Sequence, residues 1–156
     1  MAEAQPGRAP RVDGARVQIV AARYYPDIVD PLIEGAQKAI TEAGGESAVV
    51  EVAGALEIPG AIAAIHRAHA FDGYIALGCV IRGETSHYNT VCNESARGIM
   101  DLTLDGVAIG NGILTVENEE QAYARAVRGG RNKGQEAAFA VLGMMALMRH
   151  LGSVSS

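Results

Sequence analysis

The sequence has few aromatic residues and few cysteines. Tryptophan is absent from its 156 residues, and aromatic residues make up only 4% of a chain that is 49% hydrophobic. The core must therefore be built mostly from aliphatic side chains. The two cysteines, Cys79 and Cys92, lie thirteen positions apart without a CxxC spacing, which excludes a disulfide scaffold and a structural zinc site. Such cysteine usage is typical of a reducing cytoplasm.

The sequence also lacks an excess of positive charge and a long apolar run. Its formal net charge is −5, whereas a nucleic-acid-binding domain usually carries a basic stripe. The first sixteen residues contain three arginines but no apolar segment typical of a secretory signal. The longest uncharged run near the C-terminus, residues 137–148, is shorter than the roughly 20 residues that a membrane-spanning helix needs. We therefore expect a soluble cytoplasmic protein that binds neither nucleic acid nor membrane.

Apolar segments of strand length alternate with segments of helical spacing. Strands are predicted at 17–22, 47–52, 74–81 and 107–116. Helices are predicted to begin at Pro26, near Ile58, at Tyr88, at Glu119 and at Lys133, the first ending at Gly44 and the second near Gly73. This order predicts an α/β fold, a flavodoxin-like three-layer αβα sandwich around a four-stranded parallel sheet.

The two ends of the chain differ from this alternation. Residues 1–14 contain Pro6 and Pro10 and show no periodicity, so they are predicted to form an extended N-terminal arm before a single domain at 15–156. The last helix, 133–151, is apolar nearly all round, which a helix in an outer layer cannot bury alone. We expect it to form a subunit interface, although a wide core face with some exposed methionine would give the same pattern.

Polar residues follow the predicted strands at the edge where a parallel sheet binds ligands. Segments 23–25, 53–57, 82–87 and 111–115 should meet there. The third segment enters a helix, whose free N–H groups and dipole favour an anion. His87, in the first turn of that helix, would supply an imidazole that exchanges protons near neutral pH. In the simpler interpretation, Thr85 and Ser86 cap the helix and His87 is a surface residue.

Three further features indicate ligand binding, each with a simpler alternative. Four positive charges fall within nine residues, at Arg125, Arg128, Arg131 and Lys133. They fit an anion clamp, or else a solvated loop. Glu57 could hold the hydroxyls of a polyol, or simply favour the start of a helix. Tyr24 offers a flat face for stacking a planar ring, or ordinary packing.

Several catalytic and cofactor motifs are missing from the sequence. GxxxxGK[ST] and GxGxxG are absent, so these nucleotide cradles are not indicated. The sequence has no GxSxG elbow of a serine hydrolase, and its His and Cys spacings predict no metal site. The residue patterns alone thus lead to a cofactor-free α/β protein with a site for an anion.

Five segments carry a resemblance to a known family. They are AARYY at 21–25, GALEIPGA at 54–61, GCVIRGETSHYNTVCNESARGIMDL at 78–102, GILTVENEEQA at 112–122 and NKGQEAA at 132–138. In these segments the chain resembles the lumazine synthases. That family condenses 5-amino-6-ribitylaminouracil with a dihydroxybutanone phosphate to give 6,7-dimethyl-8-ribityllumazine, phosphate and water, in the penultimate step of riboflavin biosynthesis. The resemblance implies that no metal or organic cofactor is used.

The resemblance also implies roles for individual residues. His87 matches the proton donor. The residues that match the ribitylaminouracil site are Tyr24, which stacks on the pyrimidine, Ala55, Leu56, Glu57, Cys79, Val80, Ile81 and Asn111. The residues that match the butanone phosphate site are Glu84, Thr85, Arg125 and Lys133. In this family, sites form between neighbouring subunits of a pentamer, and some members assemble into decamers or shells of sixty subunits.

The chain departs from the family at three positions. Tyr24-Tyr25 stands where Phe-Asn is usual, Ala53 where proline is common, and Asn111 where phenylalanine is common. We expect altered substrate affinity rather than lost chemistry, because His87 and the charged residues remain. Two alternatives stay open at this point: a flavin- or lumazine-binding carrier or assembly protein without turnover, and an archaeal-type riboflavin synthase, which shares the fold.

Overall fold

A single parallel sheet forms the centre of the molecule. The computed structural model describes residues 9–127 and 131–154. Its four strands are β1 (Arg16–Ala22), β2 (Glu46–Val52), β3 (Gly73–Ile81) and β4 (Ile109–Val116), arranged in the order β2-β1-β3-β4. All three strand pairs are parallel. The described residues also form the helices α1 (Pro26–Glu42), α2 (Ile58–His66), α3 (His87–Leu104), α4 (Glu119–Ala126) and α5 (Lys133–Val154).

The helices cover both faces of the sheet. One apolar cluster joins the sheet to α1, α4 and α5, with Ile19, Leu32 and Leu142 among its buried members. A second cluster on the opposite face packs α2 and α3 against the sheet through residues such as Ile62 and Ile99. Alternate residues of each strand point to opposite faces, so the covered parts of β1 and β3 are mostly apolar, with buried Gln18 as a polar member of β1. The α/β three-layer sandwich with a four-stranded parallel sheet is confirmed.

Element boundaries lie within three residues of their predicted positions, except at the end of α2. The first helix ends as predicted, where Gly44 adopts a φ of 87°. Helix α2, expected to reach Gly73, ends at His66 because His69 adopts a left-handed φ of 52°. Strand β4 begins two residues later than predicted, because the amide of Val107 donates back to the carbonyl of Leu102 and completes the turn after α3.

The two ends of the described chain lie against the domain in different ways. Val12 is fully buried, and its amide donates to the carbonyl of Ala43 at 2.8 Å. Residues 1–8 lie outside the described residues, so the division into an arm and a domain stays a prediction. Helix α5 buries one face in the core and exposes Met144, Leu147 and Leu151 on the other, so its role as an interface also stays a prediction.

Candidate active site

A cavity of about 530 Å³ opens at the carboxyl ends of β1, β2 and β3. It lies where the chain order reverses between β1 and β3, the usual place for a ligand in an open parallel sheet. Eight of the residues predicted to bind substrate or transfer protons line it: Tyr24, Ala55, Leu56, Glu57, Cys79, Val80, Ile81 and His87. The remaining lining residues are Ala22, Tyr25, Ala53, Gly54 and Val91.

The segment after β1 places two aromatic rings at the cavity. Tyr24 is 77% exposed, and its ring meets that of Tyr25 edge to face with 4.9 Å between centroids. Tyr25 is half-buried and precedes the first residue of α1, Pro26. Burial, followed by the nearby Tyr24, raises the pKa of the Tyr25 phenol. Tyr25 therefore presents a neutral hydroxyl at neutral pH, and the Tyr24 face is open to a planar ligand.

The segment after β2 forms a tight turn that carries a carboxylate. Residues Ala55–Glu57 make one turn of 3₁₀ helix, in which the Glu57 amide donates to the carbonyl of Gly54 at 3.1 Å. Ala55 is buried, whereas Leu56 and Glu57 are exposed at the cavity. A carboxylate in this position can accept hydrogen bonds from the hydroxyl groups of a bound polyol.

The end of β3 forms the floor of the cavity. Cys79 is buried, and Val80 and Ile81 are half-buried. Desolvation, with a smaller contribution from Glu119, raises the pKa of the Cys79 thiol to about 11. The thiol is therefore neutral at physiological pH and is a poor nucleophile, so this floor offers backbone groups and apolar surface to a ligand.

His87 is the first residue of α3 and faces the cavity from its third side. Its side chain is exposed, and its amide donates to Thr85 Oγ1 at 3.3 Å. The residue before the helix, Ser86, makes no capping hydrogen bond through its side chain. The preceding loop, with Glu84 and Thr85, is exposed. The start of this 18-residue helix can therefore receive an anion beside the imidazole.

The other predicted binding residues do not line this cavity. Asn111 is the third residue of β4, pairs with Ala76 and accepts from the amide of Ile113 at 3.0 Å. Arg125 and Lys133, which we call the basic pair, lie on α4 and α5. Arg125 Nη1 donates to the carbonyl of Gln121 at 2.9 Å, and Lys133 forms an ion pair with Glu136 at 2.8 Å. Arg128 of the predicted positive run lies outside the described residues.

Two ion-pair networks beside the cavity were not predicted from the sequence. Arg23 binds Asp30 and Glu51, and its contacts with these carboxylates raise the pKa of its guanidinium. Arg82 Nε pairs with Glu117 at 2.8 Å, while its guanidinium lies 4.3 Å from the ring centroid of Tyr88. Both arginines directly follow a strand that ends at the cavity, which is the sequence signal that could have drawn attention to them.

Neither a metal centre nor a membrane span is found in the part of the chain that the structure describes. Within 9–127 and 131–154, no group of three or more His, Cys, Asp or Glu side chains could hold a metal ion. Across the same residues, no helix is both long and apolar enough to cross a membrane.

Comparison with known proteins identifies the family. Residues 14–149 match the family model of 6,7-dimethyl-8-ribityllumazine synthase. The enzyme of that name from Novosphingobium aromaticivorans is 58% identical over 133 residues, which cover 85% of this chain and 96% of that protein. The one from Sphingopyxis alaskensis is 56% identical over 138 residues, 88% of this chain and 98% of that one. A third, from Zymomonas mobilis, is 54% identical over 137 residues, 88% and 99% of the two chains.

These comparisons favour the enzyme over the non-catalytic carrier that the sequence left open. The matched region contains all five segments that carried the resemblance, together with every residue that lines the cavity. The chain belongs to the 6,7-dimethyl-8-ribityllumazine synthase family and is a transferase of riboflavin biosynthesis.

Proposed function

We propose that the cavity binds 5-amino-6-(D-ribitylamino)uracil and joins it to 3,4-dihydroxy-2-butanone 4-phosphate. The products are 6,7-dimethyl-8-ribityllumazine, phosphate and water. The observation that carries this proposal is the convergence of an exposed aromatic face, a carboxylate and an imidazole, from three separate loops, on one cavity. A planar ring, a polyol chain and a proton transfer need these three groups.

The pyrimidine substrate occupies the part of the cavity between the first two loops. Tyr24 stacks on the ring, since its side chain is exposed and the neighbouring Tyr25 ring lies nearly perpendicular to it. Backbone groups of Cys79, Val80 and Ile81 contact the ring from the end of β3. The ribityl chain lies along Ala55, Leu56 and Glu57, where the carboxylate accepts from its hydroxyls.

The phosphate substrate occupies the entrance of α3. Amides around Glu84 and Thr85 donate to the phosphate oxygens, and the helix dipole favours the negative charge. Arg125 supplies a bidentate guanidinium to the same phosphate, and Lys133 supplies a second positive charge. The basic pair does not line the cavity of its own chain, so in this proposal both residues come from a neighbouring subunit.

The protein assembles as a ring in which each site joins two chains. A pentamer, alone or as part of a decamer or a shell of sixty subunits, places the basic pair and Asn111 of one chain beside the cavity of the next. The exposed apolar residues of α5, Met144, Leu147 and Leu151, support a further contact surface. Sedimentation equilibrium measures the number of chains in the assembly, and a monomer would contradict this proposal.

The protein works in the cytoplasm without a bound cofactor. Its two cysteines are free, which suits a reducing compartment. The condensation needs proton transfers and loss of phosphate but no change in oxidation state that would call for a redox group. Activity that survives exhaustive dialysis against a chelator would agree with this expectation.

His87 moves the protons of the condensation. The 5-amino nitrogen of the pyrimidine attacks the ketone carbon of the butanone phosphate, and His87 delivers a proton to the departing oxygen as the imine forms. His87, now neutral, takes the proton from C3 of the butanone moiety as the bond from C4 to the phosphate oxygen breaks, and the phosphate leaves, held by the α3 amides and Arg125. The remaining enol becomes the ketone that the ribitylamino nitrogen attacks. Ring closure and loss of water complete the product. Proton transfer of this kind contributes on the order of 10²–10⁴-fold to the rate, and the positioning of two substrates supplies much of the remainder.

A two-substrate assay that follows product absorbance tests the proposal. We expect His87→Ala to lower kcat by roughly 10²–10⁴-fold, because the proton shuttle is lost. His150→Ala provides the matched control, since His150 is exposed on α5 far from the cavity loops in the chain, and it should retain wild-type kcat. Equal rates for His87→Ala and wild type would refute the assignment of His87.

A further inference from the structure

Arg23 makes an unusually complete set of ion pairs for an exposed side chain. Its Nε and Nη2 atoms donate to the two carboxylate oxygens of Asp30 at 2.6 and 2.9 Å. Its Nη1 atom donates to Glu51 Oε1 at 2.6 Å. The first pair is a bidentate fork, which fixes the plane of the guanidinium as well as its position. A single surface ion pair adds little, but this arrangement joins three elements through one planar group.

The three elements are those that carry the pyrimidine half of the cavity. Arg23 lies between the end of β1 and Tyr24, and Asp30 is in the second turn of α1. Glu51 is in β2, whose last residues lead directly into the segment 53–57. Because β1 and β2 pair in parallel up to Ala22 and Val52, both segments leave the sheet at the same edge. Arg23 therefore connects the segment that bears Tyr24 to the segment that bears Glu57.

The Tyr24 ring has little else to hold it. The side chain is 77% exposed, and among the described residues the ring pair recorded for it is the perpendicular one with Tyr25. Tyr25 forms the N-terminal boundary of α1 without a capping hydrogen bond from its side chain. The position of Tyr24 thus depends on the backbone of its segment, and the neighbouring group with strong contacts across that segment is the Arg23 guanidinium.

We propose that Arg23 is a positioning residue that sets the separation of Tyr24 and Glu57 for the pyrimidine substrate. The inference rests on the proposed function, because it takes Tyr24 and Glu57 as the groups that bind that substrate. It goes beyond the function in assigning a role to a residue that contacts neither substrate. Arg23 acts through its two carboxylate partners, on binding rather than on the chemical step.

The phosphate half of the site is held by different contacts. Arg82, which follows β3, pairs with Glu117, which follows β4, and its guanidinium lies against Tyr88, the residue after His87. Arg82 also donates its amide to the carbonyl of Val116 at 2.9 Å. Loss of Arg23 leaves these contacts in place. It should therefore change the binding of one substrate and not of the other.

Steady-state kinetics on the assembled enzyme, with each substrate varied in turn, test this separation. We expect Arg23→Gln to raise KM for the pyrimidine roughly fivefold, the scale of a lost ion-pair network near the surface. The KM for the phosphate substrate and kcat should stay within about twofold. Arg23→Lys should recover only part of the loss, because an ammonium group cannot bind Asp30 through two atoms and also reach Glu51.

The matched control is Arg97→Gln. Arg97 also binds two carboxylates, Glu94 at 2.6 Å and Asp101 at 3.1 Å, but all three residues lie within α3 and outside the cavity lining. This variant should leave both KM values unchanged. Equal increases of both KM values in Arg23→Gln, or no increase in either, would overturn the inference.

A second variant keeps the test valid if Arg23→Gln does not fold. Glu51→Gln retains the fork to Asp30 and weakens only the link to β2, so it should raise KM for the pyrimidine by a smaller factor. The double variant should be no worse than Arg23→Gln alone, since both changes interrupt one connection. Additive effects would contradict a shared role.

Tyr24→Ala separates this inference from the proposed function. If that variant leaves KM for the pyrimidine unchanged, the assignment of the cavity itself fails. If Tyr24→Ala raises KM and Arg23→Gln does not, only the positioning role fails.

Discussion

The cavity and the basic pair belong to the same chain but differ in what surrounds them. The cavity residues come from three strand ends at the reversal point of the sheet, and the fold brings them together without help. Arg125 and Lys133 lie on outer helices, exposed or half-buried, and each is bonded within its own helix or to a nearby residue. One chain thus forms the cavity from its own strand ends, whereas the basic pair, which we propose to bind the phosphate, lies on outer helices.

Mixing two variant chains in one assembly gives the largest expected effect, a change in activity that tests whether the cavity and the basic pair act across subunits. Chains with His87→Ala have a defective cavity, and chains with Arg125→Ala have a defective basic pair. Each homogeneous assembly should therefore lose most of its activity. In rings formed by co-expressing equal amounts of both, about a quarter of the sites should combine an intact cavity with an intact neighbour. Activity should therefore recover to about that fraction of wild type.

A second mixture provides the control for that recovery. His87→Ala and Glu57→Ala both alter the cavity, so no interface between those two chains contains an intact cavity. This mixture should show no recovery. If the first mixture also gave only the summed activity of its parents, the basic pair would serve the cavity of its own chain, and the proposed division between subunits would be wrong.

Within the cavity, the stacking surface gives the next largest effect. Tyr24→Ala removes the open aromatic face, and stacking of a base on such a ring is worth about 1–3 kcal/mol. KM for the pyrimidine should rise by roughly tenfold or more, while Tyr24→Phe retains the ring and should behave as wild type. Isothermal titration with the pyrimidine alone measures the same loss without turnover. Equal binding by Tyr24→Ala would remove Tyr24 from the site.

The position of the basic pair is expected to depend on the hydrogen bonds of Asn132, which lies between α4 and α5. Asn132 donates through Nδ2 to the carbonyls of Pro31 at 2.9 Å and Ala126 at 3.1 Å, and its Oδ1 accepts from the amide of Gln135. It thereby joins α1, the end of α4 and the start of α5. Asn132→Ala removes these three hydrogen bonds and should cost about 2–3 kcal/mol.

Thermal unfolding measures this loss against a matched asparagine. Asn118 makes one capping bond, in which its Oδ1 accepts from the amide of Gln121 at 2.9 Å, so Asn118→Ala should cost only about 1 kcal/mol. The midpoint for Asn132→Ala should therefore fall further than that for Asn118→Ala. The reverse order would show that the hydrogen bonds of Asn132 do not stabilise the helices that they join.

The sequence predicted the cavity well for a simple geometric reason. Strands β1 and β3 are mostly apolar segments covered on both faces, so their positions were clear from hydrophobic pattern alone, although β1 contains Gln18. The carboxyl ends of parallel strands meet at one edge, so strand order alone is enough to bring Tyr24, Glu57 and His87 together. Residues 111–115 were expected at that edge for the same reason, but Asn111 lies early in β4, five residues before the strand ends at Val116.

Features that depend on side-chain reach could not be predicted in the same way. The partners of Arg23 lie seven and twenty-eight positions away, and one partner of Asn132 lies 101 positions away. No periodic pattern encodes such contacts, because they depend on rotamers and on the packing of separate elements. The early end of α2 was also not predictable from the pattern, because a positive φ such as that of His69 is uncommon for a residue other than glycine.

The smallest expected effect concerns the cavity floor and its pH dependence. Burial raises the pKa of the Cys79 thiol from 9.0 to about 11, so the folded protein keeps this proton to a higher pH than the unfolded chain does. Its contribution to stability is therefore lost as pH rises from about 9 towards 11. In a Cys92→Ser variant, iodoacetamide should react with Cys79 far more slowly at pH 8 than with free cysteine, and faster as pH approaches 11. Saturating pyrimidine should slow this reaction further, because Cys79 lines the cavity, whereas phosphate alone should not. Mass spectrometry measures the labelling of Cys79. A rate at pH 8 equal to that of free cysteine would show that Cys79 is not buried.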